Sequence, residues 1–226
     1  MLSSIKKVSY KGLLSAKKPS EWISIADLMS GVMAVVMLLL VISVLQNTYA
    51  EVKHKQEMAN SQQSEKQKMV ALLQEIQSSV TAQGAGDLID FNIEQGKITL
   101  KDNVFARGSA CITPEAQKAF TNIEDKITSF LQQSSNAKIF VEGHTDNIPV
   151  SKPVTDYQRF CTVYDDNYTL SAARAREARK LLVGQLDTSI AKRIIVAGYG
   201  DSQPIKGIPP EDDANRRVEV RLTMDN

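Results

Sequence analysis

From Trp22 to Leu45 the chain reads WISIADLMSGVMAVVMLLLVISVL, and this run limits what the rest can be. As a helix, 24 residues rising about 1.5 Å each cover roughly 36 Å, slightly more than a bilayer core of about 30 Å. A cleaved leader would carry an apolar core of about 7–15 residues and then a small-residue cleavage site. Here Leu28 to Leu45 is already 18 residues without a charge, and QNTYAEV follows. The run therefore reads as a retained transmembrane helix, residues 22–45. Residues 1–20 hold Lys6, Lys7, Lys11, Lys17 and Lys18 and no acid, whereas the far flank begins QNTYAE. That asymmetry keeps a tail, residues 1–21, in the cytoplasm and exports everything after Leu45. Trp22 stands where an interfacial aromatic would stand.

Asp27 is the exception inside the span. A carboxylate at a membrane centre costs on the order of 2.5–3.5 kcal/mol on insertion scales, and such residues tend to be functional. One reading places Asp27 near the headgroups, favoured by the helix dipole. The other makes it an ion-binding carboxylate against a partner helix, alternately neutralised and released. A low-dielectric site would raise its pKa and make protonation switchable. Ser30, one turn later, is a second polar group for the same face, and Gly31 and Ala34 permit close helix approach. A single span seals no ion path alone, so this reading requires a multi-span partner. No cofactor is expected; the translocated species would be a proton or a sodium ion.

Residues 46–86 form the connection. They are rich in Gln, Ser, Lys and Glu, with no Pro and no Gly before Gly84, which favours a continuous helix. Leu45, Tyr49, Val52, Gln56, Ala59, Gln63, Lys66, Val70, Leu73, Gln77 and Val80 recur at spacings of four and three. This heptad frame has a polar middle. It allows a modest parallel helix pair, tighter near Val70–Val80, or a solvated single helix. Gly84-Ala85-Gly86 then breaks the helix and marks a domain boundary.

From residue 87 to 226 short apolar strands alternate with amphipathic helices. LIDFNI (88–93) and KITL (97–100) flank a Gln95-Gly96 turn as a hairpin. Thr113-Pro114-Glu115 opens a helix with a cap and a first-position proline, continued by Ala116, Phe120, Ile123, Ile127 and Leu131. KIFVEG (138–143) reads as a buried strand, Leu170 to Leu186 as a helix, and RIIVAGYG (193–200) and RRVEVRL (216–222) as two more strands. The fold class is α+β: a β-β-α-β-α-β-β sandwich with helices on one sheet face, behind a helical linker and one membrane helix.

The balance of 27 basic and 26 acidic side chains argues against a strongly basic nucleic-acid binder. Chemistry could reside in three strings: Gly143-His144-Thr145-Asp146 at a strand's end, Asn167-x-x-Leu170-Ser171-x-x-Arg174-Ala175 opening a helix, and Asn215-Arg216-Arg217-Val218-Glu219 entering the last strand. A hydrolase built from Ser171, His144 and Asp146 needs Ser171 on a strained elbow, but Leu170-Ser171 looks like an ordinary helix N-cap. His144 beside Asp146 lacks the further ligands of a zinc site and reads better as a satisfied structural histidine. No enzyme activity is expected. A binding clamp fits better: a carboxylate at Asp146 takes an ammonium group, and the planar guanidinium of Arg174 takes a carboxylate. The alternative is that Asp146 and Arg174 pair with each other.

GHTD, N-x-x-L-S-x-x-R-A, GYGDSQP (198–204) and N-R-R-V-E, in this order, resemble the OmpA-like peptidoglycan-binding domain over residues 88–224. The resemblance implies a β-α-β-α-β sandwich in which Asp146 and Arg174 hold the diaminopimelate of a peptidoglycan stem. It makes Thr145, Asn167, Leu170 and Arg217 supporting wall residues. The stretch between Asp146 and Asn167 is longer than usual and contains Cys161, so the pocket rim departs from the family pattern. At the other end, W-I-S-I-A-D-L-M-S resembles the span of flagellar stator B subunits (MotB), where an aspartate in an A-D-[FL]-M-[ST] context binds the driving ion; Asp27 matches it. Related B subunits (ZorB) serve the Zorya anti-phage system, and the long polar helix and the ending soon after the last strand look more like that branch. The resemblance implies a homodimer inside a pentameric ring of multi-span A subunits in a bacterial inner membrane. The C-terminal domain would lie in the periplasm, bound to peptidoglycan. Cys111 and Cys161 would then both lie where disulfides persist. They either remain separate thiols or close a loop of about 50 residues, worth roughly 3–4.5 kcal/mol in the chain-entropy model.

Overall fold

A computed structural model describes residues 21–183 and 186–224. The basic stretch read as a cytoplasmic tail lies outside the described residues. The chain divides into two units at Ala59–Asn60.

The first helix, α1, runs Glu21–Ala82 without a break. Its N-terminal part is long and apolar enough to cross a membrane, and its Leu, Val, Ile and Met side chains from Ile25 to Leu45 are all exposed. Such a stretch matches lipid rather than water. Further along, Met69, Leu72, Leu73, Ile76 and Val80 follow the three-and-four spacing of one helix face and are buried. They belong to the core of the second unit. The second unit thus begins near residue 60, ahead of the boundary expected at 87, and Leu73 and Val80 are buried in its core. Polar contacts reinforce the docking: Asn136 donates to Glu65 (2.9 Å), and Lys126 pairs with Glu75. The helix ends where the glycines predict. Gly84 N–H donates to Thr81 O and Ala85 N–H to Val80 O, the paired bonds of a Schellman stop.

The rest of the unit is β1 (Ile89–Asn92), β2 (Lys97–Lys101), α2 (Pro114–Gln133), β3 (Ala137–His144), α3 (Tyr157–Phe160), α4 (Asn167–Val183), α5 (Thr188–Ala191), β4 (Ile194–Gly198) and β5 (Arg217–Met224). Thr113 caps α2, accepting from Ala116 N–H, and Pro114 takes the first turn, where its missing N–H costs nothing. The five strands lie in the order β1-β2-β5-β3-β4. β5 is antiparallel to both β2 and β3, while β3 and β4 are parallel. Alternate strand residues (Ile98, Leu100, Ile139, Val141, Val218, Val220, Leu222) are buried in the same apolar core as α2, α4 and the end of α1. Their neighbours carry charges on the opposite face, where Lys97 meets Glu219 at 3.1 Å and Arg221 meets Glu142 at 2.6 Å.

This topology creates the site. The register pairs Lys101 with Arg217 and His144 with Arg217. The C-terminal ends of β2 and β3 therefore flank the N-terminal end of β5. Asp102, Asp146 and Arg216 each stand one or two residues beyond such an end, so the sheet delivers two carboxylates and a guanidinium to a single edge.

Candidate ligand-binding site

Helix α4 brings the fourth charge. It lies against β3 and β4 because Gly143 and Gly198 leave room. A Cβ on Gly143 would sit 2.0 Å from Ser171 O, and one on Gly198 would sit 2.6 Å from Ala172 Cβ. Ser171 does not cap this helix, contrary to the sequence reading. The helix starts a turn earlier, where Asp166 accepts from Thr169 N–H at 2.6 Å, and that bond lowers the Asp166 pKa. The Ser171 hydroxyl instead donates to Tyr168 O and accepts from Gly200 N–H, locking the helix to the end of β4.

Arg174 emerges two turns into α4 and is only 2% exposed. Its Nε donates to Ser109 O at 3.0 Å, its Nη1 to Asp102 Oδ1 at 3.0 Å, and its guanidinium lies over the Phe105 ring at 5.2 Å. Burial lowers its pKa and the Asp102 carboxylate partly restores it, but an arginine stays charged throughout. Asp146 sits at the end of the β3 loop. Its Oδ1 accepts from Ile148 N–H (3.2 Å), and its Oδ2 accepts from Arg216 Nη1 (2.7 Å). Arg216 also places Nε on Asp102 Oδ2 at 3.1 Å and Nη2 on Asp213 Oδ1 at 2.7 Å. Partial burial pulls the Arg216 pKa down, but the hydrogen bonds to Asp146, Asp102 and Asp213 together hold it above the ordinary arginine value.

Asp146 and Arg174, expected either to clamp a ligand or to pair with each other, are thus linked through Asp102 and Arg216. Neither connecting residue was assigned a role from the sequence. Among the expected wall residues, Asn167 ties the rim by donating from Nδ2 to Asp146 O (3.1 Å) and Ile148 O (3.0 Å). Leu170 is buried beside it in the chain's first helical turn of α4, and Thr145 N–H donates to Gly200 O at 2.8 Å. Arg217 is a correction. It lies in the strand, on the charged face of the sheet, with Nε on Glu219 Oε1 at 2.7 Å and its Nη atoms on Asn215 O and Gln203 O. The arginine at Asp146 is Arg216.

His144 needs a second correction. It is buried and stacked 5.3 Å from the Tyr199 ring, yet neither ring nitrogen has a hydrogen-bond partner among the described residues. Burial, aided by the nearby Arg217 and opposed by Glu219 and Glu142, lowers its pKa to about 4. It is a neutral histidine, not a satisfied one.

The long rim stretch is fastened to the opposite loop. Cys111 and Cys161 form a disulfide with Cα atoms 5.0 Å apart. Ala110 N–H and the Ser109 hydroxyl both donate to Phe160 O, and Tyr164 Oη donates to Gly108 O. The residue whose carbonyl holds Arg174, Ser109, is therefore itself held by the rim. In the first unit, Asp27 and Gly31 share one face of α1 with Leu28, Val32 and Val35. The Ser30 hydroxyl is turned to the backbone, donating to Asp27 O at 2.8 Å.

Known proteins share this plan. Two curated relatives come from Bacillus subtilis (strain 168). Motility protein B is 30% identical over 130 residues, covering 55% of this chain and 44% of that protein. The uncharacterized protein YtxE is 31% identical over 119 residues, covering 52% and 43%. The chain thus spans less than half the length of either. A solved MotB-like protein from Desulfovibrio vulgaris superposes with a TM-score of 0.54 at 20% identity, over 73% of this chain and 99% of that one, a likeness of fold. The sequence model of the OmpA family matches residues 104–217, half of the chain, running from the turn after β2 through Asp146 and Arg174 to the start of β5, so the chain belongs to the OmpA family.

Proposed function

We propose that this protein is the peptidoglycan-anchored B subunit of an ion-driven rotary motor in a bacterial inner membrane. The N-terminus would lie in the cytoplasm and the OmpA-family unit in the periplasm. The observation that carries the reading is Asp27, the lone acid between Trp22 and Leu45 on a helix that continues without a break into that unit. The likeness to Motility protein B supports it. Two copies would stand inside a pentameric ring of multi-span A subunits. Protons or sodium ions passing Asp27 would turn the ring, with Ser30 as a neighbouring polar group. The membrane potential supplies about 2.3 kcal/mol per charge per 100 mV, a sufficient source for such a cycle. The clamp of Asp146 and Arg174, with Thr145, Asn167 and Leu170 around it, would hold the wall peptide so that the dimer does not turn with the ring. The work is binding and energy transduction rather than catalysis.

For the process served we hold a Zorya-type anti-phage role, on the long polar stretch that follows the apolar part of α1. The likeness to Motility protein B favours flagellar rotation as the second reading. Loss of phage protection on deleting the gene supports the first, and loss of swimming the second. The motor itself is tested by Asp27→Asn, which keeps size and removes titration. Sedimentation with isolated peptidoglycan is expected to stay at the wild-type level while the cellular activity disappears. Unchanged activity would leave only a static membrane-to-wall anchor.

A further inference from the structure

The four charges of the site are layered. Arg174 and Asp146 form the floor, with side chains 2% and 9% exposed, whereas Asp102 and Arg216 lie above them at 30% and 25%. The upper pair also mimics what the floor is suited to bind. A guanidinium stands on the carboxylate of Asp146, and a carboxylate stands on the guanidinium of Arg174, the two joined at 3.1 Å.

We propose that Asp102 and Arg216 are a built-in stand-in for the ligand's head group, and that a ligand enters by exchanging partners with them. This deepens the peptidoglycan-binding reading and rests on it for the identity of the ligand. An incoming ammonium takes Asp146 Oδ2 from Arg216, and an incoming carboxylate takes the Arg174 fork from Asp102. The displaced groups are not stranded, because Arg216 Nε already contacts Asp102 Oδ2 and Arg216 Nη2 already contacts the exposed Asp213. Every ion then keeps a partner, which matters because a partly buried charge left alone costs far more than a paired one. A ligand carrying a single charge cannot complete the exchange. A simple amine displaces Arg216 from Asp146 but leaves Arg174 on Asp102, so the second exchange is not made, and it adds a net charge to the site. Asp102 and Arg216 thus determine specificity: they exclude single-charge ligands and admit zwitterions.

The test uses the full chain in detergent micelles, with calorimetric titration by two probes, meso-diaminopimelate and butylammonium. The variant is Arg216→Gln, whose amide can still donate to Asp146. Wild type is expected to bind diaminopimelate and to bind butylammonium at least tenfold more weakly. In Arg216→Gln, butylammonium affinity is expected to rise at least tenfold and diaminopimelate affinity to hold or rise. A tenfold loss of diaminopimelate binding would make Arg216 a supporting group instead, and an unchanged butylammonium affinity would equally overturn the exchange. Should wild type bind no diaminopimelate, the wall-binding reading fails, while the butylammonium comparison still decides whether Arg216 occupies the ammonium position. Should Arg216→Gln not fold, ¹⁵N spectra of the wild-type arginine side chains decide. The Arg216 guanidinium must change its signals on adding diaminopimelate, and unmoved signals sink the proposal.

Discussion

Asp27 and Asp146 are both carboxylates in surroundings hostile to a bare charge, and the chain treats them in opposite ways. Asp146 is surrounded: a backbone N–H on one oxygen, Arg216 on the other, and Asp102 passing the network on to Arg174. Asp27 stands on an exposed helix face lined by Leu28, Gly31, Val32 and Val35, with no salt bridge of its own among the described residues. A carboxylate held by a guanidinium and a backbone N–H fixes geometry. A carboxylate without such partners leaves its oxygens open to other groups. The difference separates a carboxylate fixed in a network from one that makes no ion pair among the described residues.

The largest effect should come from breaking the network beneath Asp146. Asp102→Asn removes the one carboxylate that reaches Arg174 among the described residues and leaves a buried, uncompensated guanidinium. A loss of about 3–5 kcal/mol in denaturant unfolding of the C-terminal unit is expected. Asp27→Asn should leave that unfolding unchanged, and equal losses in both variants would erase the contrast. The same contrast runs along α1. Leu73 is fully buried in the domain and Leu39 is 59% exposed. Leu73→Ala should cost about 2–5 kcal/mol through lost contact and a cavity, against nothing measurable in the same unit for Leu39→Ala. A third variant, Cys161→Ser, frees the rim that holds Ser109. It should cost about 2–4 kcal/mol and loosen the surroundings of Arg174 more than the core, seen as earlier hydrogen exchange near Ser109 and Phe160 than near Ile139.

Much of this arrangement was legible in the chain, and what was not has identifiable causes. The alternation in β3 and β5 and the Thr113-Pro114 start placed the strands and α2 within a few residues. The stripe of Leu73 and Val80 was also visible, but periodicity shows only that a helix face is apolar, not whether a partner helix or the same domain covers it. The resemblance points to Arg217 as a wall residue, whereas the strand pattern points to Arg216. Val218, Val220 and Leu222 face the core, so Arg217 must face away with Glu219, and Arg216, just before the strand, is free to turn to Asp146. Asp102 left no such trace. It meets Arg174 across 72 residues of sequence only because β2 and β3 both run antiparallel to β5, a pairing no local pattern encodes.

The smallest expected effect concerns a third way of handling an ionisable group near the same strand end. His144 is neither paired like Asp146 nor exposed like Asp27; it is buried and kept neutral. Its pKa lies near 4 in the folded chain against 6.5 when free, because burial and Arg217 outweigh the attraction of Glu219 and Glu142. Lys97 acts in the same direction as Arg217. Between those two values the unfolded chain takes up a proton that the folded chain refuses, so stability must fall as pH drops through that window. It should be level above 6.5 and level off again below 4. The contribution is on the order of 1–2 kcal/mol between pH 7 and pH 5. His144→Phe keeps an aromatic ring against Tyr199 and removes the titration, so the difference between the two unfolding curves isolates this histidine from the carboxylates that titrate nearby. A wild-type curve parallel to that of His144→Phe would mean that His144 takes its proton in the fold as readily as in the unfolded chain. That face of the sheet would then tolerate a charge as freely as the exposed surface does.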